Sequence, residues 1–574
     1  MRKQISVPGI LSFPLAIALI GCFVAYSANV RLLKAPAKSS MFFFRDTIKV
    51  INANTLSLQK ENDSTNLTVL EGDVILQQGK TIFKADKAIK NDRLNTFEAW
   101  GHVHINDADT THIYSDHLKY FGTPQIANLD GNVRLTDGKA TLTTPSMVYN
   151  MNTNMGTYKE GGKVVNKKTV ITSKEGEYYS DWKDVYFKKN VVVTDPAYHI
   201  TTDSLKYNTN TQIATFITQT HIKDSARRSI DTPDGFYNLR TGVAEFNQRS
   251  SVYDADRKTT VTGDALSLTD SIAKATGNAI VTDSIRGTII IANLIFQNRL
   301  SEAVLATQKP VMIIKQDSDS IYVAADTLFS ARLTDLFEMR SSHIIDTSSL
   351  ISLTDSAIAG AVQKDTLKKK DTGLVKNKKP QPDQQDSTDR YFEAFHNVRI
   401  YSDSMQAISD SLFYSFKDST FRLYKDPVVW GKESQITGDT VLVHTQNKQP
   451  SWMEAYNNGF MVNYVAEEAY NQIKSSRIDA YFLEGGLDSI RAKGSAEFIY
   501  YLQDDDSAFT GVNQGTCDII DSYFKDKQLN KIVLRSNVDG TIYPIKQKSP
   551  GEMKLEGFKW REALRPKTKY DLFE

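Results

Sequence analysis

The sequence predicts an all-β chain of stacked antiparallel strands. Three observations carry that expectation. A short pattern returns about every 30 residues, as Gly72-Asp73-Val74-Ile75-Leu76, Gly101-His102-Val103-His104-Ile105 and Gly131-Asn132-Val133-Arg134-Leu135, and repeats of that period mark quasi-one-dimensional stacks. Within each pattern apolar residues alternate with period two, the mark of a strand with one buried face. Thr, Val, Ile and Tyr are plentiful while Pro numbers only 15, which suits strands.

A chain of 574 residues would ordinarily split into several globules, but a repeat needs only its neighbours. The net charge of +1 supplies no field for nucleic acid. The two cysteines, Cys22 and Cys517, form no disulfide framework.

Taken in order, Arg2 and Lys3 precede an apolar run to Val30, broken by Pro8 and Pro14. Residues 1–30 therefore read as a signal peptide or a membrane anchor. Ala25-Tyr26-Ser27 is a small-x-small cleavage site, and Leu19-Ile20-Gly21-Cys22 has the form of a lipobox. All three readings place the remainder outside the cytoplasm. A linker (31–46) leads to a first β array (47–330). Its unit has three parts: Gly/Asn-x-Val-x-apolar, then a strand such as Ser115-Asp116-His117-Leu118-Lys119-Tyr120 or Thr202-Asp203-Ser204-Leu205-Lys206-Tyr207, then a turn and a short strand such as Gln125-Ile126-Ala127 or Gln212-Ile213-Ala214. Over 331–390 the pattern lapses into a polar run with Lys368-Lys369-Lys370 and Pro380-Gln381-Pro382. It lacks the apolar residues that offset ordering entropy, so a largely disordered insertion is expected between two arrays. The second array (391–545) resumes at Phe392 and includes Val398-Arg399-Ile400, and the tail (546–574) reads as a cap over the last strands.

Chemistry is sparse. There is no phosphate-binding glycine loop, no nucleophile elbow and no His-Glu-x-x-His. His102, His104, His112 and His117 could approach one another across a hairpin, but the next repeat carries Asn132, Arg134 and Leu142 in those slots, which favours ordinary strand residues over a zinc site. The Asp that recurs in most units (Asp116, Asp203, Asp264, Asp326, Asp410, Asp439) follows the period of the fold, so an Asx-turn fits it better than catalysis. Tyr120, Tyr149, Tyr207 and Tyr414 fit edge-of-core packing and a lipid or glycan lining equally well.

The strand at Gly131–Leu135, the Asp-x-Leu-x-Tyr strands at Ser115 and Thr202, and the x-Ile-Ala turns at Gln125 and Gln212 resemble the OstA-like family, over about residues 47–330 and more loosely 390–545. That family includes periplasmic lipopolysaccharide-bridge proteins and the N-terminal domain of the outer-membrane lipopolysaccharide translocon. The resemblance implies a repetitive antiparallel β-jellyroll in two stacked arrays, whose apolar inner faces cradle lipid A acyl chains. It also implies other jellyroll proteins of the bridge as partners, docked through sheet edges. The membrane is a further partner if the N-terminal segment is uncleaved. By period two, Val74 and Leu76, Val103 and Ile105, Val133 and Leu135, Val191 and Val193, and Val398 and Ile400 share a face and are the candidate groove residues. The expectation is a non-enzymatic lipid-binding protein of the Gram-negative envelope, periplasmic, without cofactor, metal or nucleic acid. The other classes are a structural β-repeat scaffold without lipid cargo and a β-helical carbohydrate-active enzyme. The enzyme reading requires a non-repeating acidic cluster, and no convincing one is present.

Overall fold

The computed structural model describes residues 47–62, 65–315, 320–343, 388–446, 449–483, 486–504, 508–525 and 528–573. The expected signal or anchor, the linker and most of the insertion lie outside them. The strands belong to one compact unit, Ile48–Glu574. The forty strands of the described residues are joined in a single hydrogen-bonded network, and each strand pairs antiparallel with its neighbours, as in Thr65–Gln78 with Thr81–Asn91 and Thr96–Asp107 with Thr111–Phe121.

The recurring Gly-x is not a turn between units. It is a corner inside a strand. Gly72-Asp73, Gly101-His102, Gly131-Asn132 and Gly277-Asn278 all have positive φ on both residues, and the strand register shifts there, between Glu71 and Val74, Trp100 and Val103, Asp130 and Val133, and Thr276 and Ala279. Such bulges bend a strand sharply. The two halves of each strand therefore join two different walls. In later units His396-Asn397 and Asn457-Asn458 make the corner without glycine, since Asn tolerates the left-handed region better than most residues.

The recurring Asp serves these corners, but not through its own backbone. Asn132 Nδ2 donates to Asp116 at 2.7 Å, Asn278 to Asp264 at 2.7 Å, and Asn397 to Asp326 at 2.9 Å. Each Asp thus ties the corner of an adjacent strand, and the contact repeats because the corner repeats. Gly131 is held at φ +75°, and a Cβ there would lie 2.7 Å from Asp116 Oδ2; Gly138 has φ +82° with nothing within 4 Å. Gly131→Ala is expected to cost about 1–3 kcal/mol in chemical denaturation. Gly138→Ala should cost distinctly less, because it adds backbone strain without the clash. Equal costs would mean that the Asp116 contact is irrelevant to the corner.

The strand ladder runs across the insertion. Val323 pairs with Ile400 and Leu328 with Ala394, so the two arrays are hydrogen-bonded to each other. The described start of the insertion is a helix, Leu333–His343. Its first turn is held by Asp389, which accepts from Thr334 N at 2.8 Å, and Leu333 is buried with Ala331 and Tyr391.

The tail reaches much further back than the last strands. Met553 and Leu555 are buried with Phe460, Val462, Ile499, Tyr501 and Val512. The fully buried Gln472 amide reads the tail main chain, donating to Met553 O at 2.9 Å and accepting from Leu555 N at 2.8 Å. Gln435 does the same with Lys559 O and Arg561 N, both at 2.8 Å. Arg399 donates to Asp571 O at 2.7 Å, and Leu572 ends against Val311 and Ala324. The strap thus crosses strands on both sides of the insertion.

Candidate functional site

The space between the walls is the candidate site, and it has three zones from corner to mouth. Nearest the corner, Val74, Val103, Val133, Val191 and Val398 face small partners across the strands: Ala85, Ser115, Thr144, Thr202 and Ser409. The hydroxyls are satisfied locally, as in Ser115 Oγ to His117 O at 2.9 Å and Thr144 Oγ1 to Ser146 O at 3.0 Å.

The middle zone is an unbroken cross-strand ladder of apolar residues. In the first array it runs Leu76, Phe83, Ile105, Ile113, Leu135, Leu142, Val164, Ile171, Val193, Ile200, Ile222, Ile230, Val252, Val261, Val281, Ile290, Met312 and Val323. It continues without a gap through Ile400, Ala407, Val429, Ile436, Met461, Ile473 and Phe498. Some two dozen rungs at about 4.8 Å each give a contour of roughly 115 Å. All ten residues singled out in the sequence lie on this one wall, five in the ladder and five beside the corner. Each is 0–2% exposed, because the second wall packs over them.

On that second wall tyrosines alternate with small residues. Tyr120 pairs with Ala127, which pairs with Tyr149; Tyr207 pairs with Ala214, which pairs with Tyr237. The small neighbour leaves each ring room to lean across the gap. Phe83 meets Phe97 and Tyr120 of the opposite wall at ring-centroid distances of 5.1 and 4.7 Å.

At the mouth the hairpin tips of the two walls are laced together. Tyr149 Oη donates to Asp107 at 3.2 Å and Tyr178 Oη to Asp137 at 2.9 Å. Gln78 donates to Gly122 O at 3.0 Å, and Asn166 to Thr209 O at 2.8 Å. Burial, then the neighbouring carboxylate, raises the Tyr149 and Tyr178 hydroxyls, while burial pushes Tyr158 and Tyr207 up to about 12. The hydroxyls therefore stay protonated and can donate. Burial opposes ionisation of Asp137, but the N–H groups of Ala140 and Lys139 and the Tyr178 hydroxyl outweigh it and hold the carboxyl below its ordinary range. The repeated tyrosines are latches between the walls.

The four histidines do not converge. His102 contacts Asp86 at a corner, 2.7 Å away. His117 stacks on Trp100 and faces Asp130 at 3.6 Å. His104 and His112 form a pair 3.2 Å apart, facing away from the ladder, with Tyr114 stacked on His104 and Arg134 over Tyr114.

Residues 45–203 match the OstA-like protein family, and residues 155–255 match the family described as lipopolysaccharide-assembly, LptC-related. Over residues 45–203 the first array is similar to that OstA-like family. Among solved structures, the chain is similar to LptH of Pseudomonas aeruginosa, described as the LptA-homologous periplasmic component of the conserved lipopolysaccharide transport device. That likeness has 17% identity and a TM-score of 0.18, and covers 19% of this chain and 83% of that one. No curated protein matches the chain.

Further along the first array the mouth changes character. The tyrosine latches give way to arginines on successive hairpin tips. Arg257 bridges Asp254 at 2.9 Å and Glu302 at 3.0 Å, and Arg286 bridges Asp283 at 2.7 Å. Arg228 pairs with Asp224, and Arg390 donates to Glu302 O at 2.7 Å. Two small cavities lie beneath them, of about 30 and 40 Å³, each with space for a few waters. The bonds that join one tip to another, Arg257 and Arg390 to Glu302, were not legible in the sequence, because these partners stand 45 and 88 residues apart.

Proposed function

We propose that the chain is a non-enzymatic component of a lipopolysaccharide transport bridge of the Gram-negative envelope, in the periplasm, carrying lipid A acyl chains between its two walls. The ladder from Leu76 to Phe498 is the observation that carries this reading. Each exposed CH₂ of an acyl chain costs about 0.8 kcal/mol in water. A continuous apolar wall removes that cost at every position along its length, so cargo can move without crossing a polar gap. The walls are covalently continuous at the corners and, among the described residues, joined at the mouth through side chains. Parting therefore occurs at the mouth, where latches such as Tyr149–Asp107 and Tyr178–Asp137 exchange their bonds for water. The family matches, one of them to lipopolysaccharide-assembly proteins, support the cargo.

The first strands offer a docking edge for another jellyroll. Thr55–Asn62 pairs only with Thr65–Gln78 among the described residues, and Leu56 and Leu58 on it are exposed. An unpaired edge of this kind accepts a strand from a partner.

Photocrosslinking amino acids placed at Leu135, Val193 and Ile400 test the cargo. With lipopolysaccharide added to the full chain, these positions should capture lipid several-fold above outer-face positions such as Arg134 and Lys163. Equal capture at both faces would leave a structural β-repeat scaffold without lipid cargo.

A further inference from the structure

The larger of the two cavities at the mouth is two-faced. Its apolar lining includes Ile230, Val252 and Val261, three consecutive rungs of the ladder, with Leu268 and Ala273 of the other wall, and its polar lining includes Arg228, Arg257 and Arg299 with one carboxylate, Asp254. Arg228 and Arg257 are already committed to carboxylates. Arg299 is not: its guanidinium donates to the main-chain carbonyl of Thr269 and pairs with no carboxylate among the described residues. A half-buried cation without a counter-charge favours an anion, and guanidinium matches phosphate oxygens two at a time. The apolar part of the lining favours alkyl chains.

We propose that this cavity is a station for the phosphate of an anionic lipid headgroup, with Arg299 on the phosphate and the acyl chains lying along Ile230, Val252 and Val261. The assignment rests on the lipid-carrying reading above and adds the place along the array where the headgroup is gripped. Earlier hairpin tips close with tyrosine and Asp, and the lysine nearest such a latch, Lys183, already faces Asp137 at 3.7 Å. The arginine tips would slow or orient a passing lipid that the preceding stretch holds only by its chains.

Full-length protein is titrated with a hexa-acylated glucosamine disaccharide bearing two phosphates and with the same lipid after removal of its phosphates. Wild type should bind the phosphorylated form about tenfold more tightly. Arg299→Gln should abolish that preference while leaving the stripped lipid unaffected, and Arg299→Lys should restore part of it. Because Arg299 holds no carboxylate, the salt bridges of Arg257 and Arg228 survive the change. Protection of Arg299 from an arginine-selective dicarbonyl, by the phosphorylated lipid and not the stripped one, gives the same answer on unmutated protein. An unchanged preference in Arg299→Gln overturns the station while the lipid-carrying reading stands. Equal protection by inorganic phosphate alone assigns the site to free phosphate and overturns the headgroup assignment. Failure of wild type to bind either lipid removes both readings together.

Discussion

Ile105→Asp is expected to unfold part of the first array and leave the rest intact. Ile105 is fully buried and sits between Phe83 and Ile113 on the ladder, against the ring cluster of Phe83, Phe97 and Tyr120. The basic residues of its neighbourhood, such as Lys84 and Arg134, fall on the alternate, outward positions of their strands and cannot reach an inward carboxylate. An unpaired buried charge costs several kcal/mol. In a globule that would threaten the whole molecule. Here each strand depends on its neighbours, so the loss should spread only until intact interfaces halt it. Hydrogen exchange should show lost protection across Thr81–Phe121 and retained protection in Ile272–Asn298 and beyond. Uniform loss along the chain would refute the picture of a stack with local stability.

A chain ending at Ile545 should lose both stability and solubility. Removing the strap exposes Phe460, Val462, Ile499, Tyr501 and Val512, and takes away the buried side chains of Met553, Leu555 and Leu572. Those three alone represent about 5–9 kcal/mol at 1.5–3 kcal/mol each, an upper value because the unfolded chain already buries part of them. The loss is compounded at Gln435 and Gln472, whose amides would lose their main-chain partners. Exchange protection at Gln435, Gln472 and Arg399 should fall, and the truncated chain should self-associate through the uncovered face. A monomeric truncation with full protection at Gln472 would show that the strap is dispensable.

The strands, their period and the ten wall residues were legible from the sequence, because period-two alternation is a local property of a half-buried strand. The sequence also showed where the glycines recur and that the Asp follows the fold. It did not show that Gly131 and Asn132 bend one strand between two walls, because a tight turn and an in-strand corner both call for residues that tolerate positive φ. Nor did it show that Asp116 serves its neighbour's corner, since that requires knowing which strands are adjacent. The latches join hairpin tips about 40 residues apart, such as Tyr149 with Asp107, and the strap joins Arg399 to Asp571. Contacts at such separations leave no periodic trace. Alternation dictates which face of each strand avoids water; only the packing of one wall on the other decides what covers that face, where it is laced, and where arginines replace tyrosine at its mouth.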